Sequence, residues 1–188
     1  MIKIREAAIT DAKRIEYICK MTADEKSVTD ETAGKITATI YASYYIKEEP
    51  QNAFVLEDDG LVVGYVICAE NYARFRKVFS AKYAKAVKML DKKAGLFAKL
   101  IPFPYMVFGR KYPAHLHINL LPDYRSCGYG AEMINLLTKK LQKNGVTGVM
   151  LMASKENIGA VRFYEKNEFK KIISAFGGVV MAKTLKRG

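Results

Sequence analysis

Residues 112–131 read YPAHLHINLLPDYRSCGYGA and decide the fold. Apolar and polar residues alternate loosely over 114–121, which predicts a β-strand with two different faces. Pro122 ends this strand, because proline has no N–H to donate to a neighbouring strand. A turn with two glycines follows, and apolar residues then recur at helical spacing over 131–143. The stretch therefore predicts a strand, a tight turn and a helix in direct succession.

A strand, a glycine turn and a helix start are typical of an anion site. The first N–H groups of a helix have no partner within the helix, and they carry the positive end of its dipole. Gly128 and Gly130 let the backbone approach a phosphate closely, and Arg125 adds a positive charge. An ordinary strand–turn–helix with glycines for close packing fits the same pattern. The turn alone therefore does not name a ligand.

Two motifs in this half of the chain resemble one enzyme family. Arg125-x-x-Gly128-x-Gly130, behind a strand that ends in Leu-Leu-Pro, resembles the acetyl-CoA pyrophosphate loop of the GCN5-related N-acetyltransferases (GNAT). Residues 157–164, NIGAVRFY, followed by Phe169, resemble the second CoA motif of that family. The motifs stand in the family's order and at its usual separation, so the pair is more specific than either motif alone.

The resemblance implies an acetyl-CoA-dependent N-acetyltransferase that moves an acetyl group directly to a primary amine of a small molecule or protein. It also implies an α+β fold, with a mixed, mostly antiparallel sheet of six to seven strands flanked by helices. We expect one acetyltransferase-like domain over 1–188, with an insertion at about 70–113. In this family the strand predicted at 146–153 splays from the central strand and leaves a cleft for the pantetheine arm. The residues that would then contact acetyl-CoA are Leu120, Leu121, Pro122, Arg125, Ser126, Cys127, Gly128, Tyr129, Gly130, Ala131 and Asn157.

Catalytic residues follow from the same resemblance. Tyr164 stands where the family commonly protonates the leaving thiolate, a role that suits a neutral phenol; packing of its helix on the sheet is the alternative. Direct transfer also needs hydrogen-bond donors at the oxyanion, for which we expect main-chain N–H groups around Leu120 or Leu121. His117 is the preferred base, because an imidazole titrates near neutral pH, and a purely structural histidine is the alternative.

Other residues of the predicted site are less decisive. His115, His117 and Asn119 should share one face of the strand if the alternation holds. Glu70 and Asp123 are weaker candidates for the base. Glu168 replaces the glycine that commonly precedes the last Phe of the second motif, which puts the local turn in question.

A narrower likeness concerns residues 113–118, PAHLHI, followed by Leu-Pro. They resemble the acetyltransferase-like domains related to those attached to O-GlcNAc hydrolases. Those domains usually carry Asp where this chain has Asn119. A second hypothesis is therefore an acetyl-CoA-binding module with little catalysis.

Residues 70–113, here called the basic segment, contain eleven Lys or Arg and two acidic residues, which accounts for nine of the chain's net +12 charges. A helix is predicted over 74–93, with Phe75, Val78, Phe79, Ala86 and Leu90 on its buried side. Three interpretations remain open. The lysines could form a solvated helix face, or the segment could be a lid that favours an acidic or phosphorylated acceptor. It could also be a surface for membrane lipid or another polyanion.

The whole composition limits the protein class. No apolar run approaches the ~20 residues that a membrane-spanning helix needs, and the first five residues have no signal-peptide character. Three scattered cysteines without metal-ligand spacing predict a reducing cytoplasm and no metal site. No recognised nucleic-acid motif accompanies the basic segment, so nucleic acid is the least favoured partner. Whether the chain forms a homodimer stays open.

Overall fold

The computed structural model describes residues 1–175 and 177–185. Within them, the strands are β1 (Ile2–Glu6), β2 (Ala53–Asp58), β3 (Leu61–Ala69), β4 (Ala114–Leu120), β5 (Gly148–Ser154), β6 (Lys170–Ala175) and β7 (Gly178–Thr184). They form one seven-stranded sheet in the order β1-β2-β3-β4-β5-β7-β6. All neighbours are antiparallel except β4 and β5, which are parallel. The predicted α+β fold with a mixed, mostly antiparallel sheet is confirmed.

Helices cover both faces of this sheet. They are α1 (Ala12–Met21), α2 (Glu25–Thr29), α3 (Glu31–Ala38), α4 (Tyr44–Glu48), α5 (Tyr72–Val78), α6 (Ala84–Leu90), α7 (Lys92–Ala98), α8 (Phe103–Met106), α9 (Tyr129–Lys143) and α10 (Ile158–Lys166). Apolar residues of α9 and α10 fill the core on one face, and those of α1 and α4 to α7 fill the core on the other. None of the helices in the described ranges is long and apolar enough to cross a membrane.

The hairpin of β2 and β3 shows how local sequence positions the central strands. Asp59 and Gly60 have φ values of 46° and 83°, the left-handed pair that a two-residue hairpin turn requires. The β2–β3 register shifts beside Gly64, where a built Cβ would lie 2.9 Å from the Leu120 side chain. Gly64 thus marks both a bulge and a close approach of β4.

The basic segment is helical, but its predicted buried side is partly wrong. A π-helical turn at Phe79–Tyr83 joins α5 to α6. Such a turn inserts one extra residue into the helix and so rotates the residues that follow. The buried face therefore moves from the predicted Ala86 to Val87. Leu90, also predicted to be buried, ends α6 with 44% of its surface exposed.

Candidate active site

A gap between β4 and β5 is the centre of the candidate site. The two strands pair only at Ala114–Val149 and His115–Met150 and separate beyond these residues. On the other side of β4, the N–H of Leu121 donates to the carbonyl of Val63 at 2.9 Å. Because main-chain groups of an antiparallel strand point alternately to its two neighbours, this bond leaves the Leu120 main chain facing the gap.

The three predicted cofactor contacts at the end of β4 differ in what their main chains offer to the gap. Leu120 faces β5, and its carbonyl accepts a hydrogen bond from Nε of Arg125 at 2.9 Å. The Leu121 N–H already donates to Val63, so of the two predicted oxyanion donors Leu120 is the one whose N–H is not used by β3. Pro122 has no N–H and begins the short turn Pro122–Tyr124. Of these residues, only Leu120 offers an N–H to the gap.

The glycine turn after β4 presents a row of main-chain donors. The N–H groups of residues 126–130 (Ser126, Cys127, Gly128, Tyr129 and Gly130) make no hydrogen bond within the described part of the chain. No side chain in that part caps α9, and Gly128 immediately before it has φ of 88°. Residues 125–128 are exposed, so an anion can reach the donors. The arrangement matches the predicted anion site and suits a diphosphate.

The glycine turn packs closely against α10, so the two predicted motifs are in contact. A Cβ at Gly130 would lie 3.1 Å from the ring of Phe163 in α10, closer than ordinary van der Waals contact, so the start of α9 packs tightly on α10. Ala131 follows in the first turn of α9, and its N–H donates to the Gly128 carbonyl at 3.0 Å. Gly130 thus serves both proposed roles: it keeps a free N–H and allows contact with α10.

The second motif forms the start and the inner side of α10. Asn157 caps this helix, since its Oδ1 accepts a hydrogen bond from the Ala160 N–H at 2.9 Å. Glu168 adopts φ of 68° and so forms the turn for which the family commonly uses glycine. The replacement leaves the turn in place, and the Phe169 N–H still donates to the Tyr164 carbonyl at 3.0 Å.

Tyr164 is half-buried, with its ring against Phe163 and Phe169. Burial raises the pKa of its phenol. Burial also raises the pKa values of Tyr65 and Tyr105, and the proximity of Tyr164 raises both further. Tyr164 packs against the core of α9 and α10, whereas Tyr65 and Tyr105 belong to the core on the opposite face of the sheet. Its hydroxyl has no hydrogen-bond partner among the described residues.

The predicted common face of His115, His117 and Asn119 is confirmed, but their environments differ. His115 is fully buried among the rings of Tyr45, Phe75 and Tyr105, and neither ring nitrogen has a hydrogen-bond partner among the described residues. Burial, with a smaller effect of His117, holds the His115 pKa well below its usual value. His115 is therefore a neutral structural residue.

His117 and Asn119 lie further along the strand. His117 is half-buried, and burial lowers its pKa to about 4. Its ring contacts Tyr41 edge-on, with 5.6 Å between the ring centroids. Asn119 donates a hydrogen bond to the Tyr65 hydroxyl at 2.8 Å. Of the three residues, His117 is the one whose side chain lines an open cavity.

The two weaker candidates for the base lie outside this cavity. Glu70 accepts hydrogen bonds from the amides of Asn52 and Asn144, at 3.2 and 3.0 Å. Asp123 is exposed in the turn after β4. Neither carboxylate lines the cavity, so neither is placed to receive a proton from a molecule bound there.

The cavity, here called the apolar groove, has a volume of about 640 Å³ and lies on the His117 face of β4 and β5. Its walls are Tyr41, His117, Phe97, Leu100, Ile101, Phe103, Tyr105, and residues 152–154 and 177–178. No described lining residue carries a formal charge at neutral pH, since His117 is neutral there. Five lining residues belong to the basic segment, for which a lid at the acceptor was one of the open interpretations. That the wall is apolar rather than basic was not predicted, and the apolar residues at 97, 100 and 101 are the sequence signal for it.

The chain was compared with protein-family models and with solved structures. Residues 15–169 match the model of the acetyltransferase (GNAT) family. The chain belongs to this family. Membership makes it an N-acetyltransferase, as the two motifs indicated. The acetyltransferase keywords and the enzyme class predicted from the sequence are thus confirmed.

Solved structures agree with the GNAT assignment. The protein in the crystal structure of SsHAT is 26% identical in sequence to this chain, with a TM-score of 0.87 and 98% of each chain covered. PH1933 of Pyrococcus horikoshii OT3 is 16% identical, with a TM-score of 0.69 and 99% of each chain covered. The PaiA N-acetyltransferase of Thermoplasma acidophilum, in complex with coenzyme A, is 15% identical, with a TM-score of 0.64 and coverages of 98% and 99%. The last two show a shared fold, and the coenzyme A complex agrees with acetyl-CoA as the acetyl donor of this GNAT protein.

Proposed function

We propose that this chain forms one acetyltransferase domain, with the basic segment as its insertion, and transfers acetyl groups from acetyl-CoA directly to a primary amine. One observation carries the proposal: β4 and β5 separate beyond His115, the free donors of residues 126–130 follow the end of β4, and His117 and residues 152–154 of the two strands line the apolar groove. The donors would bind the pyrophosphate and Arg125 would add charge beside it. The acetyl thioester of acetyl-CoA would lie in the gap, and the amine would enter from the groove.

Binding of the cofactor would use the residues that the motifs predicted. The N–H groups of residues 126–130 and the start of α9 at Ala131 surround the pyrophosphate position, and the side chain of Cys127 is exposed beside it. The main chain of residues 120–122 would line the pantetheine arm. The Nδ2 of Asn157 would donate to the cofactor, while its Oδ1 caps α10. The role of residues 126–130 rests on their free N–H groups and on the exposure of the turn.

Three groups would carry the chemistry. The Leu120 N–H faces the gap and would stabilise the oxyanion that forms when the amine nitrogen bonds to the carbonyl carbon. Tyr164 would protonate the sulfur as the carbon–sulfur bond breaks, since its phenol is neutral and has no competing partner. His117 would accept the proton that the amine nitrogen loses, and water would restore both groups.

The alternative of a binding module with little catalysis is not favoured by the family assignment. Its sequence basis is the likeness of residues 113–118 to domains related to those of O-GlcNAc hydrolases, in which Asn119 replaces their usual Asp. Asn119 carries a side-chain amide, which is not a base, and its Nδ2 donates to the Tyr65 hydroxyl. The three cysteines are free, and two of them are buried. Free cysteines are typical of the reducing cytoplasm, so they support a cytoplasmic location for either function.

Thermal unfolding with acetyl-CoA, coenzyme A and ATP tests the proposal, together with thiol release in the presence of amines. A ligand at about a hundred times its dissociation constant adds roughly 2.7 kcal/mol, which raises the midpoint by about 5 to 10 °C for a chain of this size. We expect this shift with acetyl-CoA and coenzyme A but not with ATP, and amine-dependent release of thiol. A shift without release would favour the binding module, and no shift would refute both functions.

A further inference from the structure

We propose that the acceptor is a primary amine on an uncharged apolar body, such as an alkylamine or arylalkylamine, which binds in the apolar groove. The inference rests on the proposed transfer reaction and names its substrate class. It differs from the sequence-based hypothesis of an acidic acceptor. The basis is the chemistry of the groove walls and the concentration of exposed apolar side chains around them.

Exposed apolar side chains are concentrated where the groove opens. Of the sixteen large hydrophobic residues that are exposed in the described chain, eight lie within residues 89–107. Three of them line the groove and are more than half exposed: Phe97 at 55%, Leu100 at 58% and Phe103 at 51%. Contiguous exposed apolar surface of this kind marks a binding site for apolar matter. A bound apolar body would cover these side chains.

No charged side chain in the described part of the basic segment lines the groove. Lys99 lies between Phe97 and Leu100 in the chain, yet neither it nor any other described Lys or Arg lines the cavity. Described acidic residues are absent from the lining as well. A second ammonium or a carboxylate on the acceptor would thus lose water without gaining an opposite charge, which strongly disfavours polyamines and acidic amines.

Polar side chains are few in the groove wall: Tyr41, Tyr105, His117 and Ser154. His117 projects from β4, beside the gap, and the Tyr105 phenol lies close enough to Tyr164 for its pKa to be affected. The exposed rings and methyl groups of Phe97 and Leu100 form the rim. His117 beside the gap and an apolar rim fit a molecule with one amine and an apolar body, with the amine directed to the thioester.

A homologous series of amines tests this substrate class. The n-alkylamines from butylamine to octylamine have nearly the same basicity, so only the buried chain changes along the series. We expect kcat/KM to rise by roughly fourfold per methylene, the equivalent of ~0.8 kcal/mol. Cadaverine matches hexylamine in length but ends in a second ammonium, and we expect its kcat/KM to be lower by about 100-fold or more. Glutamate should be no better than cadaverine.

Two matched variants test the position of the apolar body. Leu100→Glu puts a carboxylate on the rim, and we expect it to raise the ratio of cadaverine to hexylamine turnover by at least about tenfold. Leu96→Glu is the control, since Leu96 is 66% exposed in α7 but does not line the groove. Both sites are exposed, so both variants should fold.

The outcomes separate this inference from the proposed function. Acetyl-CoA binding without thiol release from any amine would refute the transfer reaction itself. Transfer that is as fast to cadaverine or glutamate as to hexylamine would leave the reaction standing and overturn the substrate class. An unchanged ratio in Leu100→Glu, or an equal change in Leu96→Glu, would also overturn it.

Discussion

The side-chain amide of Asn119 donates a hydrogen bond to the hydroxyl of Tyr65, with 2.8 Å between Nδ2 and the phenol oxygen. The two residues face each other across β4 and β3, and Tyr65 is fully buried. A buried hydroxyl without a partner is costly, so this bond stabilises the sheet beside the candidate site. Asn119 therefore has a structural role on the face that also carries His117.

A double-mutant cycle measures this role. We expect Tyr65→Phe to lower the free energy of unfolding by about 1 kcal/mol. Combined with Asn119→Ala, the cycle should give a coupling energy of about 0.5 to 1.5 kcal/mol, because the residues are in direct contact. Urea unfolding of the four proteins gives these values. Strictly additive losses would mean that the bond contributes nothing to stability.

Gly128→Ala should weaken acetyl-CoA binding by about tenfold or more. At φ of 88° an alanine is strained by about 1 kcal/mol, although its Cβ would meet no atom within 4 Å. Relief of that strain would move the N–H groups of the turn away from the pyrophosphate. Titration of acetyl-CoA by calorimetry measures the affinity.

Gly60→Ala is the matched control for that experiment. Gly60 has φ of 83° and equally open surroundings, but it lies in the β2–β3 hairpin. Both variants should lower the unfolding midpoint by about 2 to 4 °C. Only Gly128→Ala should change the acetyl-CoA affinity; an equal loss in both variants would assign the effect to stability.

Residues 112–131 predicted much of the fold because their signals are local. Alternation, a proline, glycines and helical spacing determine a strand, a turn and a helix without reference to the rest of the chain. The free donors of residues 126–130 follow from that same local geometry. The resemblance to GNAT chains then supplied the mixed, mostly antiparallel sheet and the splayed strand, which local patterns could not.

The groove could not be predicted in the same way, because distant segments form it. The π-helical turn at Phe79–Tyr83 shifts the buried face of the basic segment by one residue, and no local rule indicated it. Phe97 and Leu100 are apolar in the sequence, but only the fold places them in the wall of one cavity with residues 152–154 of β5. The pairing of Asn119 with Tyr65 likewise depends on strand register.

Tyr164→Phe should lower kcat for amine transfer by about ten- to a hundredfold, since the sulfur would lose its proton donor. Affinity for acetyl-CoA should stay within about twofold, because the phenylalanine ring keeps the contacts with Phe163 and Phe169. Thiol release and calorimetric titration measure the two quantities. Tyr17→Phe, at an exposed tyrosine of α1, is the control. An unchanged kcat would mean that Tyr164 only packs its helix on the sheet.

The buried histidines should make the fold sensitive to mild acid. Both folded-state pKa values are lowered, so the unfolded chain binds more protons below pH 6.5, and stability falls as the pH drops through that value. Each histidine should contribute a slope of about 1.4 kcal/mol per pH unit below its unfolded pKa, until its own folded pKa is reached. His115→Phe should remove about half of the combined slope between pH 6 and pH 5. Urea unfolding at several pH values measures it, and a slope unchanged by the substitution would contradict a buried neutral His115.

The pH dependence of transfer gives a separate test of His117. With a pKa of about 4 the imidazole is already unprotonated above pH 5, so His117 adds no inflection near neutrality. The acceptor's ammonium group, with a pKa near that of lysine at about 10.4, then controls the rate. We expect log kcat/KM for hexylamine to rise by one unit per pH unit from pH 6 to pH 9. An inflection near pH 6.5 that is absent in His117→Gln would instead mean that His117 titrates as an exposed base.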